Sequence, residues 1–107
     1  MKNELQKHVE QIARNLETGF PDEKGMDDQE FGAFDYLQDA LDIEYRVGSD
    51  GQYRSAKILV AFGGPNIWID TGRKKIIGAW WGDYAEAEYL SDALDLDEAC
   101  AELWNCR

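Results

Sequence analysis

The sequence predicts an α+β domain: a four-stranded antiparallel meander with two helices before it and one after it, ααββββα, the helices packed on one face of the sheet. Three observations predict this. Apolar residues recur at spacings of three and four at both ends of the chain, the period falls to two between Ile43 and Trp81, and Gly-rich turns interrupt that middle stretch three times.

Leu5, Val9, Ile12 and Leu16 form one helical stripe over about Asn3 to Thr18, and Gly19, Phe20 and Pro21 end it. Asp27 or Asp28 can cap a second helix, about Asp28 to Leu41, with Phe31, Phe34, Leu37 and Leu41 as its stripe. Ile43, Tyr45 and Val47 then alternate with Glu44 and Arg46 as a first strand. GSDGQ reads as a hairpin turn, YRSAKILVAF as the second strand and GGPN as a tight connection. Ile67 to Thr71 and Lys75 to Trp81 supply strands three and four. Ala85 to Ser91 is ambiguous between strand and helix, and from Leu94 onward Leu96, Ala99, Cys100 and Leu103 recover helical spacing behind Asp92, Asp95 and Asp97.

A chain of 107 residues supports one domain, 1–107. Its 44% hydrophobic content indicates a folded globule despite a net charge of −11. No stretch has the roughly 18 apolar residues of a membrane span, and MKNELQKHVEQ is amphipathic and charged, so a cytoplasmic protein is expected. Cys100 and Cys106 fall on different sides of one helix and are expected to be free thiols.

Charge is distributed in blocks. From Asp22 to Asp50 ten acids face Lys24 and Arg46; from Gly51 to Gly82 only Asp70 opposes Arg54, Lys57, Arg73, Lys74 and Lys75; from Asp83 to Arg107 eight acids face Arg107 alone. Two acidic blocks therefore flank a mildly basic one. Direct nucleic-acid binding is disfavoured because the whole domain would be repelled by phosphate. The opposite role fits: rows of carboxylates can mimic a phosphate backbone before a basic cleft.

GAWWGDYAEAEY sets two tryptophans side by side, and successive residues of a strand point to opposite faces. One of Trp80 and Trp81 enters the core side and the other stays outside as a candidate aromatic anchor, but the pattern does not say which.

Motifs for chemistry are sparse. His8, the only histidine, sits beside the stripe of the first helix with no partner group nearby in sequence; SDGQ lacks the ligands of an EF-hand; GGPN lacks the lysine and helix of a phosphate loop. Asp27, Asp28 and Glu30, or Asp95, Asp97 and Glu98, read as helix-start acids rather than a metal centre. No catalytic residue, metal ligand or cofactor is expected.

VAFGGPNIWIDT, GAWWGDYAEAEY and the closing AELWNCR resemble small acidic proteins of bacterial mobile elements, and among these the anti-CRISPR proteins that inhibit Cas9. The resemblance covers roughly Leu37 to Arg107. It implies a protein without catalysis that acts in the cytoplasm of a bacterial host cell. Such a protein occupies surfaces that Cas9 uses for guide RNA or DNA, and Cas9 holds nucleic acid in cationic channels. The candidate contacts come from the residues themselves: Asp27, Asp28, Asp35, Asp39 and Asp42, expected on the second helix, and Trp81, Asp83, Tyr84, Glu86 and Glu88, expected after the fourth strand. The expected partner is Cas9 or another basic nucleic-acid-handling protein, not nucleic acid itself and not a membrane. An exposed sheet edge also allows a homodimer. The alternatives are an antirestriction or nuclease-immunity protein, which would target similar cationic surfaces, and a carboxylate metal-dependent ribonuclease.

Overall fold

The computed structural model describes residues 3–25 and 30–107. Helix α1 spans Glu4–Thr18. The Asn3 side chain accepts the Gln6 N–H at 2.8 Å at its start, and Gly19 ends it in a left-handed conformation, φ 80°. Leu5, Val9, Ala13 and Leu16 are buried, while Ile12 only packs against the core. Burying a leucine or valine contributes roughly 1.5–3 kcal/mol, so this stripe is the main anchor of the helix.

Helix α2 is a single short element, Ala33–Gln38, instead of the long helix expected. It starts where the Gly32 N–H donates to Asp35 Oδ2 at 2.8 Å. It stops before Asp39, because the chain must extend immediately: the Leu41 N–H already donates to the Leu59 carbonyl of the sheet. Leu41, expected in the helical stripe, is therefore exposed.

The sheet has five antiparallel strands in sequential order, one more than predicted: β1 Asp42–Val47, β2 Tyr53–Ala61, β3 Asn66–Asp70, β4 Lys75–Trp80 and β5 Asp83–Glu88. The fifth lies in the acidic segment partly left ambiguous between strand and helix. Its alternation DYAEAE has one buried small residue, Ala85, in place of the large apolar residues that usually mark a strand. Helix α3, Leu96–Asn105, closes the chain.

Register aligns Ile43, Ile58, Ile69, Ile76 and Ala87 across all five strands on one face. The helices cover that face. Leu5 and Val9 of α1 lie over Gly78, where an added Cβ would fall 2.9 Å from each. On the same side Trp104 of α3 packs on Tyr45 of β1, with ring centroids 5.4 Å apart. The edge strand β5 is blunted by α1: Gln6 donates to the Glu86 carbonyl at 3.0 Å, Arg14 to the Glu88 carbonyl at 2.9 Å, and Glu17 accepts the Leu90 N–H at 2.6 Å. Cys100 is buried, Cys106 is exposed, and both are free thiols. Among the described residues no helix is long and apolar enough to cross a membrane.

Candidate interaction surface

The question of the two tryptophans is settled by the β4–β5 hairpin. Trp80 pairs with Asp83, which leaves a loop of only two residues, Trp81 and Gly82, both at positive φ (53° and 85°). Two consecutive left-handed residues are the signature of a type I′ turn, whose right-handed twist matches the strands it joins. Trp80 shares a face with Ile76 and Gly78, points toward the helix side and is 38% exposed. Trp81 stands at the tip, 90% exposed, with no hydrogen bond or ring contact among the described residues.

Around the tip lies an aromatic end of the sheet. Gly63 and Gly64 of the β2–β3 connection and Asn66 at the start of β3, with Ala79, Trp80, Trp81, Asp83 and Tyr84, line an open groove of about 570 Å³. The connection is a turn, as its sequence indicates: the Gly63 N–H donates to Asn66 Oδ1 at 2.7 Å. Phe62 is exposed beside it in the chain. A second groove, lined by Glu4, Leu5, Lys7, His8, Gln11 and Pro65, shares Trp80.

The carboxylates sort into two environments. On the sheet face away from the helices, register places Glu44, Lys57, Asp70, Lys75 and Glu88 in one row and Asp42, Leu59, Trp68, Ile77 and Glu86 in the next. The basic middle block thus lies between the acids of β1 and β5. Lys75 Nζ reaches Glu86 Oε1 at 3.5 Å, Arg46 pairs with Asp70 at 2.8 Å, and Lys57 covers the Trp68 ring at 4.9 Å. Glu86 also accepts the Tyr84 hydroxyl at 2.7 Å, which holds its carboxyl below the usual range and raises the phenol. Three cations, Arg46, Lys57 and Lys75, thus stand among the five acids of this face and partly offset them.

The helix side differs. Asp95, Glu98 and Glu102 line a groove with Ala33, Phe34, Leu94 and Ala99, and Phe34 is 45% exposed there. None of these three carboxylates forms an ion pair among the described residues.

Of the ten contacts expected from sequence, Trp81, Asp83 and Tyr84 meet in the hairpin groove. Glu86 and Glu88 lie along β5 on the sheet face away from the helices. Asp27 and Asp28 lie outside the described residues. The remaining three do not share one helix as expected: Asp35 caps α2, Asp39 follows it and Asp42 opens β1. The reason is the early end of α2. Asp42 and Glu86 end the same cross-strand row, so four strand spacings, about 19 Å, separate them. Phe34, Phe62, Glu98 and Glu102 were missed as candidates, because their exposure depends on how α2, α3 and the strands end.

Burial pushes the Cys100 thiol up to about 12, so it is un-ionised at neutral pH. His8 lines the groove beside Trp80 with Glu4 and Lys7. Among the described residues no three His, Cys, Asp or Glu side chains converge on a metal-sized site. Comparison with known proteins finds no matching family, no matching curated protein and no matching solved structure.

Proposed function

We propose that this chain is a binding protein without catalysis that captures a cationic nucleic-acid-handling protein, with Cas9 as the first candidate, and interferes with guide RNA loading or DNA engagement. The observation that carries the reading is Trp81. A bulky aromatic side chain is held at a left-handed position and almost wholly in water, where the chain's own packing gives it nothing. Exposed tryptophan and tyrosine are the residues that dominate interface hot spots. Tyr84 and Asp83 beside it, and the carboxylates Asp95, Glu98 and Glu102, without an ion pair among the described residues, supply polar contacts and a field that draws in a basic surface. The resemblance to anti-CRISPR proteins directs the choice of Cas9 among basic partners.

The experiment mixes the protein with Cas9 before and after guide RNA is added, and follows complex formation, guide binding and DNA cleavage. Inhibition in at least one order, lost when Trp81 is replaced, is the expected result. Unchanged guide binding and cleavage in both orders overturns the Cas9 reading. EDTA should leave the inhibition intact, because occlusion needs no metal; inhibition abolished by chelation, with guide RNA cut, points to a ribonuclease instead.

A further inference from the structure

We infer that a pocket between the end of α1, helix α2 and the far half of β2 receives one arginine side chain from a protein partner. The pocket measures about 170 Å³, far smaller than the hairpin groove, and suits a single long side chain rather than a peptide segment. Its walls are Phe20, Phe31 and Tyr36, with Ala40 and Val60, and Glu23 and Asp39 also line it. It is separate from the hairpin groove, with which it shares no lining residue.

The three rings are packed into one cluster, with Phe20 and Tyr36 centroids 4.8 Å apart, Phe20 and Phe31 5.8 Å, and Phe31 and Tyr36 6.4 Å. Phe20 reaches this position by adopting φ 54° directly after Gly19, so two successive left-handed residues turn its ring back under α2. The Tyr36 side chain is half-buried against the core, and loss of water around it pushes the phenol up to about 12.

The two carboxylates are placed by backbone, not by cations. The Glu23 N–H donates to the Phe20 carbonyl at 3.0 Å and the Asp39 N–H to the Tyr36 carbonyl at 3.2 Å, which fixes both residues beside the rings. Neither carboxylate has a hydrogen bond or ion pair among the described residues. Lys24 lines the adjoining groove and not this pocket. Aromatic walls and two carboxylates without partners among the described residues are complementary to a planar cation that stacks on rings while its N–H groups donate to oxygen. A guanidinium meets that description better than a compact, strongly hydrated ammonium. The carboxylates would accept its N–H bonds and the ring faces would cover its apolar stem.

The test is a nuclear magnetic resonance titration of the full chain with N-acetyl-arginine amide and, separately, with its neutral isostere N-acetyl-citrulline amide. Saturable shifts confined to the Tyr36 ring, Ala40 and Val60 signals are expected with arginine, and citrulline should bind roughly tenfold more weakly, the factor that 1.4 kcal/mol of cation-specific attraction gives. The exposed double variant E23Q/D39N should reduce arginine to the level of citrulline while the spectrum keeps its dispersion. Equal binding of the two probes, shifts spread over the whole acidic surface, or full arginine binding by the double variant overturns the inference. No nuclease takes part, so the outcome is independent of the Cas9 experiment.

Discussion

The Arg46 guanidinium and the Asp70 carboxylate meet two-pronged, Nη1 to Oδ1 and Nη2 to Oδ2, both at 2.8 Å, and so bolt β1 to the end of β3 across the intervening strand. Asp70 is buried, and its Oδ1 also accepts the N–H groups of Gly72 at 3.1 Å and Arg73 at 3.2 Å. One carboxylate therefore organises both a cross-strand pair and the β3–β4 turn. The Arg46 hydrogen bonds hold its carboxyl below the ordinary range. Asp70→Asn keeps the shape, removes the charge and puts an NH2 before a donor, so it should cost about 2–3 kcal/mol, read as a lower Tm. The pH dependence follows in sign. A depressed folded pKa contributes stability above the unfolded value, near 4, that is lost as pH falls through the folded value. Urea unfolding between pH 7 and pH 2 should show the wild type approaching the variant in acid.

Gly78 is the point at which α1 touches the sheet. A Cβ there would come 2.9 Å from Leu5 Cδ1 and Val9 Cγ1, so alanine forces the helix outward or its side chains off their rotamers. The expected loss for Gly78→Ala is about 1–3 kcal/mol. Val9→Ala leaves a cavity by itself, yet combined with Gly78→Ala it frees the space the new methyl needs. Denaturant unfolding of the four proteins should give a double variant more stable than the sum of the single losses predicts; simple additivity would show that the contact does not set the helix position.

Much of the architecture was legible because burial left a period in the chain: the α1 stripe, the alternation of β1, and the Gly-rich turns at Gly51, Gly63 and Gly72 all stand where the sequence put them. β5 was not legible for a physical reason. Under α1 the sheet needs small residues, Gly78 opposite Ala85 and then Ala87, and small residues carry weak strand signals. The same packing decides between the tryptophans. Once Gly78 must face the helix, Trp80 follows it by parity and Trp81 is left to the turn. The pairing of cations with acids on the open sheet face was also hidden, since Arg46 and Asp70 are 24 residues apart and only register brings them together.

Trp81 offers a way to separate folding from binding. Asparagine is favoured where a two-residue hairpin turn requires a left-handed residue before glycine, whereas an ordinary L-residue there costs roughly 1–2 kcal/mol. Trp81→Asn should therefore leave Tm unchanged or raise it by a few degrees, while the affinity for the captured partner falls at least about tenfold, as for loss of a hot spot. Thermal melts and titration calorimetry on the same preparation check both. A fall in Tm would show that Trp81 packs in the monomer and that its exposure is not reserved for a partner.

Glu98 and Glu102 of α3 and Glu86 of β5 make unequal contributions to long-range attraction, because of these three only Glu86 has a cation beside it among the described residues. Glu86 already has Lys75 at 3.5 Å and the Tyr84 hydroxyl at 2.7 Å, so its outward field is partly cancelled. Glu98 and Glu102 have no such neighbour among the described residues. Reversing them, E98K/E102K, should slow association with a cationic partner by about tenfold at low salt. The difference should fade by 0.5 M salt, where screening is shorter than about 10 Å. Folding stability should barely change. Lysine at 98 opposes the α3 macrodipole near its first turn and lysine at 102 favours it near the last, each by about 0.3–1 kcal/mol. Stopped-flow association at several ionic strengths reads the effect, with E86Q as the comparison. If E86Q slows capture as much as the double reversal, the open sheet face, not the α2–α3 side, is the surface that meets the partner.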